Sequence, residues 1–159
     1  MTIFGRRLSE YVRFCKVFLI LIAAIGILRL LLSIGGVPNQ TARWFSMTAV
    51  SWIGLLYHSV RIQATVFGGY KQLLVICVLQ NAVAQTIAIF AIVLAILTGV
   101  GNIYSAPEYA FGGDTPWLHA GAHVVIGMPV GSLVLWLIGS LVMFATKKLS
   151  RQSQIVGAK

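Results

Sequence analysis

The chain has 159 residues, 58% of them hydrophobic and 9% charged, with a mean hydropathy of +0.91 and a formal charge of +9. Soluble domains carry roughly 25% charged residues, so lipid must be the solvent for most of this surface, and a soluble enzyme or binding module is excluded. The length allows one domain.

Arg6, Arg7, Arg13 and Lys16 precede a nearly pure Leu/Ile/Val/Ala/Phe run from Val17 to Ile34. A basic start and an apolar middle resemble a signal peptide. The run is long, however, contains Arg29, and is followed by no A-x-A pattern, so it reads as an uncleaved first span. The turn "SIGGVPNQTAR" is short and rich in Gly, Pro and Asn, which makes the first two spans antiparallel neighbours. Thr41 is placed to cap the second helix, and Arg43 and Trp44 sit at the outer interface, where Trp is favoured.

The second apolar run starts at Trp44, and the inner turn "TVFGGYKQ" ends it with Gly68-Gly69. A third run covers Leu73 to Leu97 and a fourth Val124 to Ala145. Crossing a hydrocarbon core takes about 20 helical residues, and lipid leaves no partner for unpaired backbone groups. None of the runs alternates in polarity as a barrel strand would. The expected fold is an all-α membrane protein, a four-transmembrane-helix bundle of up-and-down topology. Its spans lie at about 17–35, 44–64, 72–98 and 117–147, within one domain over 1–149 and ahead of a basic cytoplasmic tail, 150–159.

Ten of the twelve basic residues lie before the first span, between or at the facing ends of the second and third, or at the end of the fourth and beyond it. Arg43 alone lies in an outer loop, whereas Glu108 and Asp114 are both in the second outer loop. The positive-inside rule then puts both termini in the cytoplasm of an inner (plasma) membrane. The basic balance is a topology signal and gives no reason to expect nucleic acid. Cys15 and Cys77 share the cytoplasmic half, so no disulfide is expected. Cys77 reads as a small core residue, and Cys15 stands beside the membrane, where acylation acts.

The outer loop "TGVGNIYSAPEYAFGGDTP" is long enough to fold over the mouth of the bundle, and loops of this length are usually functional or mobile. Thr115 as N-cap and Pro116 at the first helical position then start the fourth helix. Pro129, flanked by Gly127 and Gly131, removes one backbone donor and frees the carbonyl of Val125, so a kink or hinge is expected there.

An ionisable group inside a span is a site hypothesis by default, at about 2.5–3.5 kcal/mol on insertion scales. Arg29 is the one such cation. Ser51, Gln85 and Ser132 fall at comparable depths, and His58, Gln80 and Asn81 form a second layer nearer the cytoplasm. Asn81 and Gln85 are four apart and share a helix face. The favoured reading is a hydrogen-bond network that fixes helix register; the alternative is a small polar cavity for a quinone, a lipid headgroup or an ion. No carboxylate lies in any span, which weighs against an acidic proton relay.

"HAGAH" sets His119 and His123 at i and i+4, a spacing from which both can ligate one metal, with Glu108 or Asp114 to complete the set. The glutamate of the H-E-x-x-H motif is absent, with Ala120 in its place, so an interfacial polar cap with no tightly held metal is expected. A haem between His58 and His123 is excluded by their depths, which differ by more than about 12 Å at 1.5 Å per residue. No cofactor is favoured, with haem or metal as the alternatives.

The sequence thus favours a non-enzymatic accessory or structural subunit of a membrane complex, or a homo-oligomer. Its partners are then the bilayer and other membrane subunits or itself. A channel or carrier for a small neutral or anionic solute, using Arg29, is the alternative. A haem- or metal-binding redox subunit using His119 and His123 is the third reading.

Overall fold

The computed structural model describes residues 1–109 and 115–157, the stretch 151–157 by backbone alone. It is built almost wholly of helix: α1 (Leu8–Ile34), the single turn α2 (Asn39–Ala42), α3 (Met47–Ala64), α4 (Tyr70–Thr98), α5 (Pro116–Ala122) and α6 (Met128–Gly157). α5 and α6 form one continuous rod, joined by a five-residue π-helical segment, His123–Gly127.

Three helices are long and apolar enough to cross a membrane: α1, α4, and the α5–α6 rod over Pro116–Ser150. The chain is therefore compatible with a small integral membrane protein. α3 falls outside that set because Ser51, His58, Ser59, Arg61 and Gln63 dilute its 18 residues. α3 and α4 each pack against both α1 and α6. Near the start of α1, Phe14 stacks on Phe67 just beyond the end of α3, whereas Gly26 lies against Met47 at its beginning. At the far end of α3, the Gln63 side chain donates to the carbonyl of Met143 on α6.

Helix ends follow local chemistry, and two differ from expectation. α3 is capped by Ser46, whose Oγ accepts from the Ala49 N–H at 3.2 Å. Thr41 instead lies within α2, so the second long helix starts at Met47 rather than near Trp44. α4 stops where Gly99 adopts φ +70°, a left-handed conformation that glycine takes without a Cβ clash. Thr115 does precede the first residue of α5, Pro116, although its side chain makes no capping bond.

The chain also begins with a feature outside an all-α reading. Thr2–Ile3 and Arg6–Arg7 pair as a minimal antiparallel hairpin. Its turn residues, Phe4 and Gly5, both have positive φ, the backbone that suits a two-residue hairpin. The hairpin folds against the α3–α4 turn: Arg6 Nε donates to the Phe67 carbonyl at 2.6 Å, and Gln72 Nε2 donates to that of Phe4 at 2.9 Å. Arg6 also pairs with Glu10 at 3.0 Å. The Glu10 carboxylate accepts from the Arg7 backbone N–H as well, which starts α1 nine residues before the apolar run.

Buried side chains form two apolar clusters. One gathers Tyr11, Cys15, Leu55, Ile62, Leu73, Ile76 and Met143, and the other Ile22, Met47, Ala91, Ile92, Ile103 and Tyr104. Along α3, α4 and the α5–α6 rod, Ser51, Asn81, Gln85, His123 and Ser132 fall between the residues feeding the two clusters. Cys15 is fully buried within the bundle, as is Cys77, and both cysteines are free thiols. The outward faces remain apolar, with Val125, Leu137, Leu141 and Phe144 on the rod all exposed.

Gly139 sits where the rod meets α3 and α4. A Cβ built there would lie 2.9 Å from Ser59 Oγ and 3.1 Å from Leu73 Cδ2. Gly139→Val is expected to destabilise the bundle by about 1–3 kcal/mol through overpacking, read as a lowered unfolding midpoint in detergent. Gly101→Ala, where a Cβ meets nothing within 4 Å, should leave that midpoint unchanged.

Candidate functional site

A partly open cavity of about 480 Å³ lies among α1, α3, α4 and the α5–α6 rod. Its wall collects six of the polar candidates picked from sequence or their near neighbours: Arg29, Ser51, Asn81, Gln85, His119 and His123. The helix periodicity explains the convergence, since residues four apart share a face. Ser132 lies behind the same wall, hydrogen-bonded to Asn81 at 3.0 Å.

Asn81 is the anchor of a directed hydrogen-bond chain. Its Nδ2 donates to the carbonyls of Gly127 and Met128, at 3.0 and 2.8 Å, and to Ser132 Oγ, whose own proton goes to Met128 O. Carbonyls only accept, so the amide cannot be turned around. Asn81 Oδ1 therefore faces Gln85 and accepts from its Nε2 at 3.2 Å. Gln85 Oε1 in turn faces His123 Nδ1 at 2.5 Å, which makes Nδ1 the donor. His123 Nε2 then carries a lone pair, and it meets His119 Nε2 at 3.2 Å.

Small residues make room for this chain. Cβ atoms built on Gly131 and Gly127 would stand 2.9 Å from Asn81 and 3.1 Å from Gln85. Those glycines, named from sequence as the flanks of Pro129, accommodate amide side chains. Helix is present on both sides of Pro129. The π segment immediately before it shifts the hydrogen-bond register, with the Met128 N–H on the His123 carbonyl, so a missing donor is absorbed as a local bulge.

Arg29 borders the same cavity. Its guanidinium carbon lies 5.1 Å from the centroid of the Tyr104 ring, and its buried Nε has no hydrogen-bond partner among the described residues. The one ion pair among those residues is Arg6–Glu10, far along α1, so no described carboxylate balances Arg29. Tyr104 does not supply a charge either. Burial pushes its phenol up to about 12, against a smaller opposing pull from Arg29, and the hydroxyl donates to the Gly26 carbonyl at 3.0 Å.

Tyr104 and Tyr109 belong to the loop after α4, and neither was picked from sequence as a lining residue. The signal available was the length of that loop. It tucks into the bundle through Asn102, whose Nδ2 donates to Ala91 O at 2.8 Å, and through Ile103, whose N–H donates to Ser33 Oγ at 2.8 Å.

The other candidates lie elsewhere. His58 is 1% exposed and ringed by Phe14, Phe18 and Tyr57, with centroids 5.2–5.5 Å away. It does not border the cavity that His123 lines. Gln80 is buried near Phe18 and Gly54, and neither its amide atoms nor the His58 nitrogens have a partner among the described residues. Glu108 accepts from Asn39 Nδ2 at 3.1 Å. Its own backbone N–H and that amide hold its carboxyl below the usual carboxylate range. Asp114 lies outside the described residues. Among those residues no three His, Cys, Asp or Glu side chains cluster as metal ligands.

Comparison with protein-family models, with curated proteins and with solved structures gives no match for this chain. What the site can do must follow from its geometry.

The chain fixes one tautomer, and that is open to measurement. Nitrogen-15 NMR of the labelled protein should show His123 as the Nδ1–H form, and Gln85→Leu should convert it to a mixture without loss of helix. An unmodified protein whose His123 carries its proton on Nε2 would contradict the assignment.

Proposed function

We propose that this chain is a four-span inner-membrane protein of up-and-down topology with both termini cytoplasmic, and that it binds a small anionic or polar solute in the cavity beneath the α4–α5 loop. The observation that carries the reading is Arg29, a guanidinium at the cavity wall with no acidic partner among the described residues. An unbalanced cation inside a bilayer is unfavourable by about 2.5–3.5 kcal/mol on insertion scales. An entering anion would supply the missing charge, and the planar fork of arginine suits carboxylate and phosphate oxygens. The volume of about 480 Å³ falls within the range of roughly 300–1,000 Å³ typical of small-molecule sites.

Support for four spans comes from α3, whose first residue lies against Gly26 of α1 and whose far end reaches Met143 of α6. Support for the orientation comes from the Lys/Arg distribution. The accessory-subunit reading rests on composition and on outward apolar faces, which lipid covers equally well. The cavity is the more specific observation. Of the roles that need a solute site, a channel or carrier fits an amide- and imidazole-lined wall without acidic residues in the spans.

Reporter fusions after Gly36, Val66, Ala110 and Lys159 should alternate outside and inside, beginning outside. An external signal at Lys159 would reject the topology.

Thermal unfolding of the detergent-solubilised protein tests the site itself, with inorganic phosphate and benzoate as probes, because ligand bound only by the folded state raises the midpoint. At least one probe should raise it, and Arg29→Gln should weaken that response about tenfold or more, as expected for losing a charged hydrogen bond of roughly 1.5–3 kcal/mol. Without probe, Arg29→Gln should unfold no earlier than the unmodified protein. An equal response from the variant would remove Arg29 from the site.

A further inference from the structure

We infer that His119 and His123 chelate one first-row divalent metal ion at the wall of the cavity, with its remaining coordination positions open to that space. The two Nε2 atoms converge to 3.2 Å, with the ring planes tilted by 38°. Two imidazole nitrogens about 2.0–2.1 Å from one zinc-like ion at a tetrahedral angle stand about 3.3–3.4 Å apart. The pair therefore holds close to chelating separation without rearrangement. The i, i+4 spacing supplies this within a single helical turn, because the π segment begins only at His123.

A metal-bound histidine normally donates its other ring N–H to a fixed acceptor, which settles its tautomer and orientation. His123 already has such an acceptor. Gln85 Oε1 takes the Nδ1 proton, Gln85 is held by Asn81, and Asn81 ends on backbone carbonyls of the rod. His123 Nε2 is consequently bare and aimed at His119. Without metal, His119 Nε2–H can donate into it; with metal, that proton moves to His119 Nδ1 and both Nε2 atoms become ligands. Both rings stay neutral throughout, and no redox step is involved.

Imidazole ligands suit zinc, copper(II) and nickel(II). With two protein ligands, water or an oxygen of a bound solute fills the open positions. Tyr109 is the loop residue placed alongside, since it lines the main cavity and the smaller one of about 220 Å³ beside the histidines. The inference does not rest on Arg29, because metal uptake and the response to anions are separate measurements.

The test uses the full chain without a polyhistidine tag, in detergent, stripped with EDTA and titrated with zinc and copper(II) salts. One equivalent per chain should bind. In the copper-loaded unmodified protein, pulsed electron paramagnetic resonance should show the remote nitrogens of two imidazoles. His119→Ala and His123→Ala should each abolish stoichiometric uptake, and Gln85→Leu should weaken it roughly 10–100-fold, with helix content by circular dichroism unchanged. No uptake, a resonance signature of fewer than two imidazoles, or full uptake by either histidine variant would overturn the assignment. The resonance measurement decides even where a variant fails to fold.

Discussion

The contact on which the bundle depends is the Asn81 amide against the backbone of the α5–α6 rod. Inside lipid, an amide that finds no partner costs several kcal/mol, so α4 and the rod are held in the register that lets Asn81 reach Gly127 and Met128. Apolar faces alone would not select that register, because lipid tails solvate a helix about as well as a neighbouring helix does. Measured interhelical hydrogen bonds in membranes average only about 0.6 kcal/mol. Asn81 therefore sets geometry more than it adds net stability. The two apolar clusters fill the space on either side of it.

The π segment and Pro129 belong to the same constraint. A proline in a membrane helix must have its lost hydrogen bond replaced by other groups. Here the ladder shifts to the π register just before it, and the Asn81 side chain satisfies two carbonyls around it. At the position where a kink or hinge was expected, the helix carries a π-register segment and stays helical on both sides. Gly127 and Gly131 keep that face bare, and Gln85 and Asn81 fill it.

The sequence was most informative where one residue type has few options. Long apolar runs in a chain this poor in charge have to be helices, and polar residues at helical spacing have to meet inside. The cavity itself was not legible: the structure brings His119 and His123, read from sequence as a separate interfacial pair, onto one wall with Arg29, Ser51, Asn81 and Gln85. Helical spacing also separated residues less well along the helix axis. Asn81 was grouped with His58 and Gln80 by depth, yet it turns toward Gln85 and the rod, while the other two pack elsewhere. Glu108 was a ligand candidate by proximity in sequence, but the loop carries it to Asn39. The N-terminal hairpin was illegible because its turn, Phe4-Gly5, lacks the Asn-Gly or Asp-Gly signature. Tyr104 and Tyr109 gave no periodic signal, since they sit in a loop whose path is set by contacts distant in sequence.

The direction of the Asn81–Gln85–His123 chain has a further consequence for proton movement. Imidazole takes up a proton at one nitrogen and gives it off at the other, whereas a carboxamide holds its protons and only lends lone pairs. The two amides therefore behave as an electrical insulator behind the histidines: hydrogen bonds continue through them to the rod's carbonyls, but protons do not. Along this chain a proton can reach His123 but cannot pass beyond Gln85, so the hydrogen-bond path from the histidines to the rod's carbonyls does not conduct protons.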